Sequence, residues 1–141
     1  MPGKMTKEEV DAFLDSKPGW MMLTSLGKDG YPHTVPIGYF RDGDRILMGC
    51  RDNTQKTLNI ERNPKVSLVI EDGTSMADIR GVMLRGDATI VRDDDERLII
   101  SRLASKLRGV KEEDWPKTAS PGAVFIQVNN PKVTSWDYSK T

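Results

Sequence analysis

The chain has 141 residues, and its 21 Lys and Arg residues are balanced by 21 Asp and Glu residues. The resulting formal net charge of zero argues against a general binder of nucleic acids or anionic membranes, because such proteins normally carry a basic excess. One cysteine, Cys50, and one histidine, His33, exclude an internal disulfide and a zinc site built from both residue types. No apolar run approaches the ~20 residues of a membrane-spanning helix, so no membrane association is expected.

The length fits one domain, and residues 1–141 are expected to form a single one. The polar start, Met1 to Lys7, lacks the apolar core of a signal peptide, which predicts a cytoplasmic protein. A chain of this size buries only about two-thirds of its unfolded surface. Association of two copies is therefore expected before any motif is considered.

The first predicted element is a helix. Thr6-Lys7-Glu8-Glu9 is a capping-box sequence, in which the Thr6 hydroxyl and the Glu9 carboxylate each accept a backbone amide of the other residue. Val10, Phe13 and Leu14 then form an apolar stripe at helical spacing. Pro18-Gly19 is expected to end the helix.

Two turn sequences divide the next stretch into three predicted strands, which make two successive hairpins of an antiparallel meander. Pro32 and Pro36 donate no ladder hydrogen bond, so they indicate an edge or a bulge on the second strand. The strands and turns are, in order, Trp20 to Leu26, Gly27 to Gly30, Pro32 to Phe40, Arg41 to Asp44 and Arg45 to Gly49.

The rest of the chain is predicted to hold two helices and four strands. Thr54 is the predicted N-cap of the helix Thr54 to Asn63. The acidic run Asp93 to Glu96 is typical of a helix start and predicts the helix Asp93 to Leu107 rather than a metal site. The strands are Val66 to Glu71, Ile79 to Arg92 with a bend at Gly81 or Gly86, Ala123 to Val128, and Lys132 to Trp136.

About seven strands without βαβ alternation argue against a Rossmann sheet. They favour a mainly β fold, a closed or split antiparallel barrel with peripheral helices, because closure protects the strand edges.

The segment from Arg51 to Arg62 carries the strongest chemical signal. A strand ends there and a helix begins, and the free amides of a helix N-terminus attract phosphate. A solvated surface helix is the alternative, and composition alone does not separate the two. The side chains that would serve a phosphate site are Arg51, Thr54, Lys56, Thr57, Asn59 and Arg62.

Three isolated residues are further candidates. His33 has no nucleophile or carboxylate fixed beside it by the sequence, so a catalytic triad is unsupported and a structural role is the alternative. Cys50 is expected to be a small buried or cofactor-facing residue. Trp136 is a candidate for contact with a cofactor or a partner subunit. No catalytic residue and no metal ligand is assigned.

Five short motifs follow one another along the chain: Gly30 to Ile37, Ile46 to Gly49, Thr54 to Ile60, Arg62 to Leu68, and Gly81 to Ala88. In this order they resemble the pyridoxamine 5'-phosphate oxidase-like superfamily. The resemblance implies a split β-barrel of the FMN-binding type that forms a homodimer, with two cofactor sites at the subunit interface. Members hold FMN, the deazaflavin coenzyme F420, or sometimes haem.

The motifs depart from those of the true oxidases. The true oxidases have an arginine on the strand at the position of His33, and a Ser-Arg-Lys turn at the position of Thr54-Gln55-Lys56. Only the lysine is kept in this chain, so oxidation of pyridoxamine phosphate is not expected. The chain is more similar to the F420-dependent branch, the class B flavin/deazaflavin oxidoreductases. By that resemblance, Lys56 and Arg51 hold the phosphate end, and Asn53 and Thr54 donate hydrogen bonds beside it. The backbone of Val35, Pro36 and Ile37 lies along the ring, and His33, Cys50, Asn59 and Trp136 complete the predicted cofactor-binding set.

The resemblance leaves three functions open. The first is an F420-dependent reductase that passes a hydride to a small electron-poor substrate such as a conjugated enone, a quinone-like ring or a tetrapyrrole. The second is an FMN-binding oxidoreductase of the same fold. The third is a carrier that binds a cofactor without turnover. In the first two the cofactor supplies the reactivity, so no catalytic acid or base is required of the protein.

Overall fold

The computed structural model describes residues 2–16 and 19–140. The first helix begins at the predicted capping box, where the Glu9 amide donates to Thr6 Oγ1 at 3.1 Å and the Thr6 amide donates to Glu9 Oε1 at 2.9 Å. The apolar stripe of this helix is buried, as its spacing predicted. The predicted helix end at Pro18 lies outside the described residues.

The described part of the chain contains eight strands, three α-helices and a 3-10 helix at Glu112–Asp114. Within it, no helix is both long and apolar enough to cross a membrane. The elements are α1 (Lys7–Ser16), β1 (Trp20–Leu26), β2 (Pro32–Gly38), β3 (Phe40–Asp42), β4 (Arg45–Arg51), α2 (Gln55–Arg62), β5 (Lys65–Asp72), β6 (Arg80–Val91), α3 (Asp94–Leu107), β7 (Ala123–Asn129) and β8 (Lys132–Asp137).

The strands form one curled antiparallel sheet in the order β2-β1-β5-β6-β7-β4-β3, with β8 paired to β6. The long strand β6 joins the two halves, because its residues Arg80 to Arg85 pair with β8 and its residues Ala88 to Val91 pair with β7. The change of partner falls at Gly86, one of the two positions where a bend was predicted. The result is a mainly β fold of the split-barrel type, which confirms the predicted fold class.

The second predicted hairpin forms, because β3 pairs with β4 across the predicted turn, but the continuous three-stranded meander is wrong. The stretch Pro32 to Phe40 forms two strands, and β2 and β3 lie at opposite ends of the strand order. The break falls at Tyr39, whose hydroxyl donates to the Leu14 carbonyl at 2.6 Å and whose amide donates to the Gly19 carbonyl at 3.3 Å. Tyr39 therefore packs against the end of α1, and the barrel is open between β2 and β4.

Alternate side chains of the strands fill the barrel. In β5 the residues Val66, Leu68 and Ile70 are buried, as the alternation predicted, and Phe13 and Leu14 of α1 join the same cluster. Each fully buried side chain of this size stabilises the fold by about 1.5–3 kcal/mol relative to an exposed one. The apolar face of α1 therefore fixes this helix against the barrel.

Candidate functional site

The opening of the barrel lies between β2 and β4. β2 is at the end of the strand order, so one row of its backbone groups is not used by β1. β4 pairs with β3 only as far as Leu47, which leaves Met48 to Arg51 without a strand on that side. The two strands approach each other without pairing. Free peptide groups on both strands thus border one opening, and α2 begins beside it.

The turn between β4 and α2 is held in an unusual backbone conformation. Asn53 has a φ of 57°, in the left-handed region that non-glycine residues rarely adopt. Asp52 fixes the turn, because its carboxylate accepts the Asn53 amide at 2.8 Å and its own amide donates to the Gly122 carbonyl at 2.9 Å.

Arg92, at the end of β6, clamps this turn to α2. Its guanidinium donates from Nε and Nη2 to the two carboxylate oxygens of Asp52, each at 3.0 Å, and from Nη2 also to Glu61 near the end of α2. These bonds raise the pKa of Arg92 above its usual value. The Arg92 bond, followed by the Asn53 amide, lowers the pKa of Asp52. The role of Arg92 was not predicted, because an arginine at the end of a strand gives no sign in the sequence of a partner forty residues away.

The first turn of α2 presents its amides without a protein cap. Thr54 occupies the predicted N-cap position with an extended backbone. Its hydroxyl donates a hydrogen bond to the Arg51 carbonyl at 3.3 Å and accepts none from the amides of the helix. The first turn contains no acidic side chain. Since the N-terminus of a helix carries partial positive charge, this arrangement favours an anion.

Two cations flank that helix start. Arg51 and Lys56 form no ion pair or side-chain hydrogen bond with any residue in the described ranges. Arg51 is exposed and lies against Gly122, where an added Cβ would be 3.3 Å from Nη2. Lys56 is half-buried and close to Cys50; burial raises the pKa of the Cys50 thiol, and the Lys56 charge opposes that rise. The structure thus brings Arg51, Cys50, Thr54 and Lys56 together at one corner.

Asn59 lies inside the protein, where it holds α2 in place. Its side chain is fully buried, and its Nδ2 donates to Ser25 Oγ on β1 at 3.1 Å. Its Oδ1 accepts from Gln55 Nε2 at 2.7 Å and from Arg62 Nη2 at 3.4 Å. This network positions the helix that carries Lys56. The expected contact of Asn59 with a cofactor stays a prediction.

The predicted residues of β2 divide between the two faces of the strand. His33, Val35 and Ile37 point inward, with Ile37 buried, and Pro36 points outward and is exposed. His33 lies opposite Ser25 in the β1–β2 register. Its Nδ1 is buried and has no hydrogen-bond partner among the described residues.

A cavity of about 710 Å³ opens beside His33, between the β1–β2 turn and α2. A buried unpaired nitrogen is uncommon and is usually explained by a missing partner. The lining residues are Gly27, Lys28, Asp29, Tyr31, Pro32, His33, Gln55 and Asn59.

Trp136 does not reach this corner within one chain. It lies on β8, four strand positions from β2, which corresponds to about 19 Å. Its indole lies over Gly81, where a Cβ would be 2.5 Å from the ring, and its Nε1 donates to Glu71 Oε2 at 2.9 Å. Its predicted contact with a cofactor or a partner subunit stays a prediction.

Residues 6–137 match the pyridoxamine 5'-phosphate oxidase family, and the chain belongs to that family. This confirms the superfamily indicated by the motifs. No curated protein matches the sequence.

Solved structures share the fold. A conserved hypothetical protein of Mycobacterium tuberculosis is 24% identical with a TM-score of 0.80, over 95% of this chain and 86% of that one. A structure named F420 reductase is 24% identical with a TM-score of 0.62, over 86% and 94%. An FAD-binding protein of Mesorhizobium loti is 18% identical with a TM-score of 0.74, over 96% of each chain.

Proposed function

We propose that this chain is an F420-dependent reductase that transfers a hydride to a small electron-poor organic molecule. The observation that carries the proposal is a pair of cations, Arg51 and Lys56, that have no side-chain partner among the described residues and lie beside a helix start that Thr54 does not cap. A phosphate at this corner would receive charge-assisted hydrogen bonds from both side chains and from the helix amides. The corner adjoins the free edge of β2, where a ring could lie.

The residues present fit a phosphate-bearing flavin or deazaflavin. Such a cofactor supplies hydride transfer when it is bound. Arg51, Lys56, the Thr54 amide and the other amides of the first turn of α2 would hold the phosphate. The amide of Asn53 is bonded to Asp52, so Asn53 would contribute its side chain. The β2 backbone from Val35 to Ile37 would fix the ring plane.

His33 offers a further polar contact at the site. Its unpaired Nδ1 is an orphaned buried atom, which is consistent with a polar ligand atom nearby. The chain itself contributes binding, orientation and exclusion of water.

FMN is the second candidate cofactor. The phosphate corner serves FMN equally well, and family membership supports it. Gln55 is the position that favours F420, because the true oxidases have an arginine there. The motif resemblance to the F420-dependent branch supports the same choice, as does a shared fold with a structure named F420 reductase.

Fluorescence titration of the purified protein separates these candidates. Micromolar binding of F420 without binding of FMN supports the proposal, and the reverse result supports the second candidate. Reduced F420 is then mixed with an enone or a quinone without oxygen, and its reoxidation is followed. Tight binding without reoxidation by a broad panel of acceptors would indicate a carrier, and binding of neither cofactor would refute both assignments.

We further propose that two copies associate through the outer face of the sheet. The pairing registers place Pro36, Met22, Val69, Met83 and Thr134 in one row across β2, β1, β5, β6 and β8, and this row contains no charged side chain. Met22 is 43% exposed, and the adjacent outward-facing Trp20 is 69% exposed.

An exposed apolar face of this kind marks an interaction surface, and a two-fold dimer would cover the same face on both copies. Pro36 lies on β2, so the second copy would border the proposed cofactor site.

A further inference from the structure

A second cavity, of about 630 Å³, lies under α1 at the other end of the barrel. Its floor consists of core side chains, including Leu14, Ile46 and Leu84, each no more than 3% exposed. The volume falls within the range of about 300–1,000 Å³ that small-molecule sites occupy. The cavity therefore penetrates into the core.

This cavity is separate from the proposed cofactor corner. None of the predicted cofactor-binding residues lines it. β4 connects the two regions, with Ile46 in the cavity floor and Arg51 at the corner. Five residues of strand separate their Cα atoms, which corresponds to about 16 Å. A ligand in the cavity would not occupy the corner.

The polar residues at the cavity carry an excess of positive charge. Lys7 is paired with Asp11 and Asp44, each at 3.1 Å. Lys4 and Lys132 also line the cavity, but they form no ion pair with any residue of the described ranges. The lining thus combines an apolar floor with two lysines, Lys4 and Lys132, whose charges are not neutralised by an ion pair within the described ranges.

Arg41 adds no free charge, although it also lines the cavity. Its guanidinium donates to Asp15 Oδ1 at 2.9 Å and to Asp11 Oδ1 at 3.2 Å, and its side chain is only 10% exposed. These carboxylates neutralise Arg41 and fix it against α1. The free charge therefore belongs to Lys4 and Lys132.

We propose that this cavity binds a small amphipathic anion, with its apolar chain on the core side chains and its carboxylate at Lys4 and Lys132. An apolar body in an apolar cavity gains the free energy of burial. A carboxylate gains charge-assisted hydrogen bonds from an ammonium group that has no protein partner. The assignment does not depend on the nature of the cofactor.

The test uses the full chain and decanoate, with decanol as the uncharged probe. Calorimetric titration should show saturable binding of one decanoate per chain, and decanoate should not displace FMN or F420. The double variant Lys4→Glu/Lys132→Glu should weaken decanoate binding about tenfold or more and change decanol binding much less. The matched variant Lys111→Glu/Lys117→Glu, with the same charge change on exposed loop residues, should bind decanoate like the wild type.

A second variant tests the position of the site. Val133 lines the cavity and is 46% exposed, so Val133→Trp can fill the mouth without disturbing the core. It should abolish decanoate binding and leave the thermal unfolding midpoint unchanged. Absence of saturable binding to the wild type would overturn the assignment. The assignment would also be overturned if Val133→Trp still bound decanoate, if charge reversal at Lys4 and Lys132 left the affinity unchanged, or if decanoate competed with the cofactor.

Discussion

Asp52 and Arg92 set the geometry of the turn that carries Arg51. The two oxygens of Asp52 accept both donor nitrogens of Arg92, and one of them also accepts the Asn53 amide. A bidentate arginine–carboxylate pair has a defined orientation as well as a favourable energy. The turn is therefore held in its strained conformation before any ligand arrives.

The first prediction concerns pH. The pKa of Asp52 is lower in the folded protein than its ordinary value of 3.8, so the carboxylate contributes stability that is present above that value and is lost as the pH falls through the folded-state pKa. Asp52→Asn should be less stable than the wild type at neutral pH, and the difference should shrink as the pH falls below 3.8.

Urea unfolding from neutral pH down to about 3 measures this difference. Asp87→Asn is the matched control, because Asp87 is exposed and forms no side-chain hydrogen bond within the described ranges. A difference in the free energy of unfolding between the wild type and Asp52→Asn that does not change with pH would contradict the role given to Asp52.

The second prediction concerns Asn53, whose φ of 57° disfavours residues with a Cβ. Asn53→Ala should lower the free energy of unfolding by about 1 kcal/mol, since alanine tolerates the left-handed region less well than asparagine. Asn53→Gly should lower the free energy of unfolding by less than half as much as Asn53→Ala, because glycine adopts this conformation freely. Denaturant unfolding of both variants provides the measurement, and equal losses in the two would show that backbone strain is not the cause.

At the scale of elements, a buried polar network attaches α2 to the barrel. Asn59 links the helix to Ser25 on β1 and to Gln55 one turn earlier. Buried polar groups are costly when one partner is removed, because the remaining partner is left unsatisfied. The network thus fixes where the Lys56 ammonium lies relative to the barrel.

The third prediction follows from that network. Asn59→Ala should lower the free energy of unfolding by about 2 kcal/mol and Ser25→Ala by about 1 kcal/mol. The double variant should lose less than the sum, because the two residues share one hydrogen bond. Leu58→Ala, on the exposed face of the same helix, is the control and should cost less than about 1 kcal/mol. Additive losses at Asn59 and Ser25 would contradict the coupling.

Local signals predicted most of the elements. The alternation of Val66, Leu68 and Ile70 and the capping box at Thr6 depend on neighbours in sequence, and both were confirmed. The break at Tyr39 could not be predicted, because it results from a contact with Leu14 on a separate helix. Pro32 and Pro36 indicated an edge strand, which β2 is.

The sequence predicted the part of the candidate site that lies within one continuous segment of the chain. Arg51, Thr54 and Lys56 lie together because a strand, a turn and a helix start follow one another directly. Arg92 was missed because its contact with Asp52 spans forty residues. The inward position of Asn59 was not predicted. Helical spacing shows which residues share one side of a helix, but it does not show whether that side is buried or exposed.

At the scale of the whole molecule, the outer face of the sheet is the surface that the proposed second copy would cover. The row through Met22 is uncharged, and Trp20 beside it is 69% exposed. Exposed apolar area of this kind is normally covered by a partner. Trp136 lies on the same face, four strand positions or about 19 Å along the sheet from β2, so the proposed second copy would lie near it.

The fourth prediction tests this association. Light scattering after size exclusion should give twice the chain mass of 15.8 kDa for the wild type. Met22→Glu should shift the protein toward the monomer, because it places a charge within the apolar row. Ile99→Glu changes a more exposed apolar residue on α3 and should leave the dimer intact. A monomeric wild type, or dissociation by both variants alike, would remove this face as the interface.

The central claim is that Lys56 and Arg51 bind the phosphate of a flavin-type cofactor, and cofactor titration of matched lysine variants tests it most directly. Lys56→Ala should weaken binding of the preferred cofactor by about 1.5–3 kcal/mol, since a charge-assisted bond to phosphate is lost. Lys106→Ala, on the exposed surface of α3, should bind like the wild type. An unchanged dissociation constant for Lys56→Ala would contradict the claim and place the cofactor elsewhere.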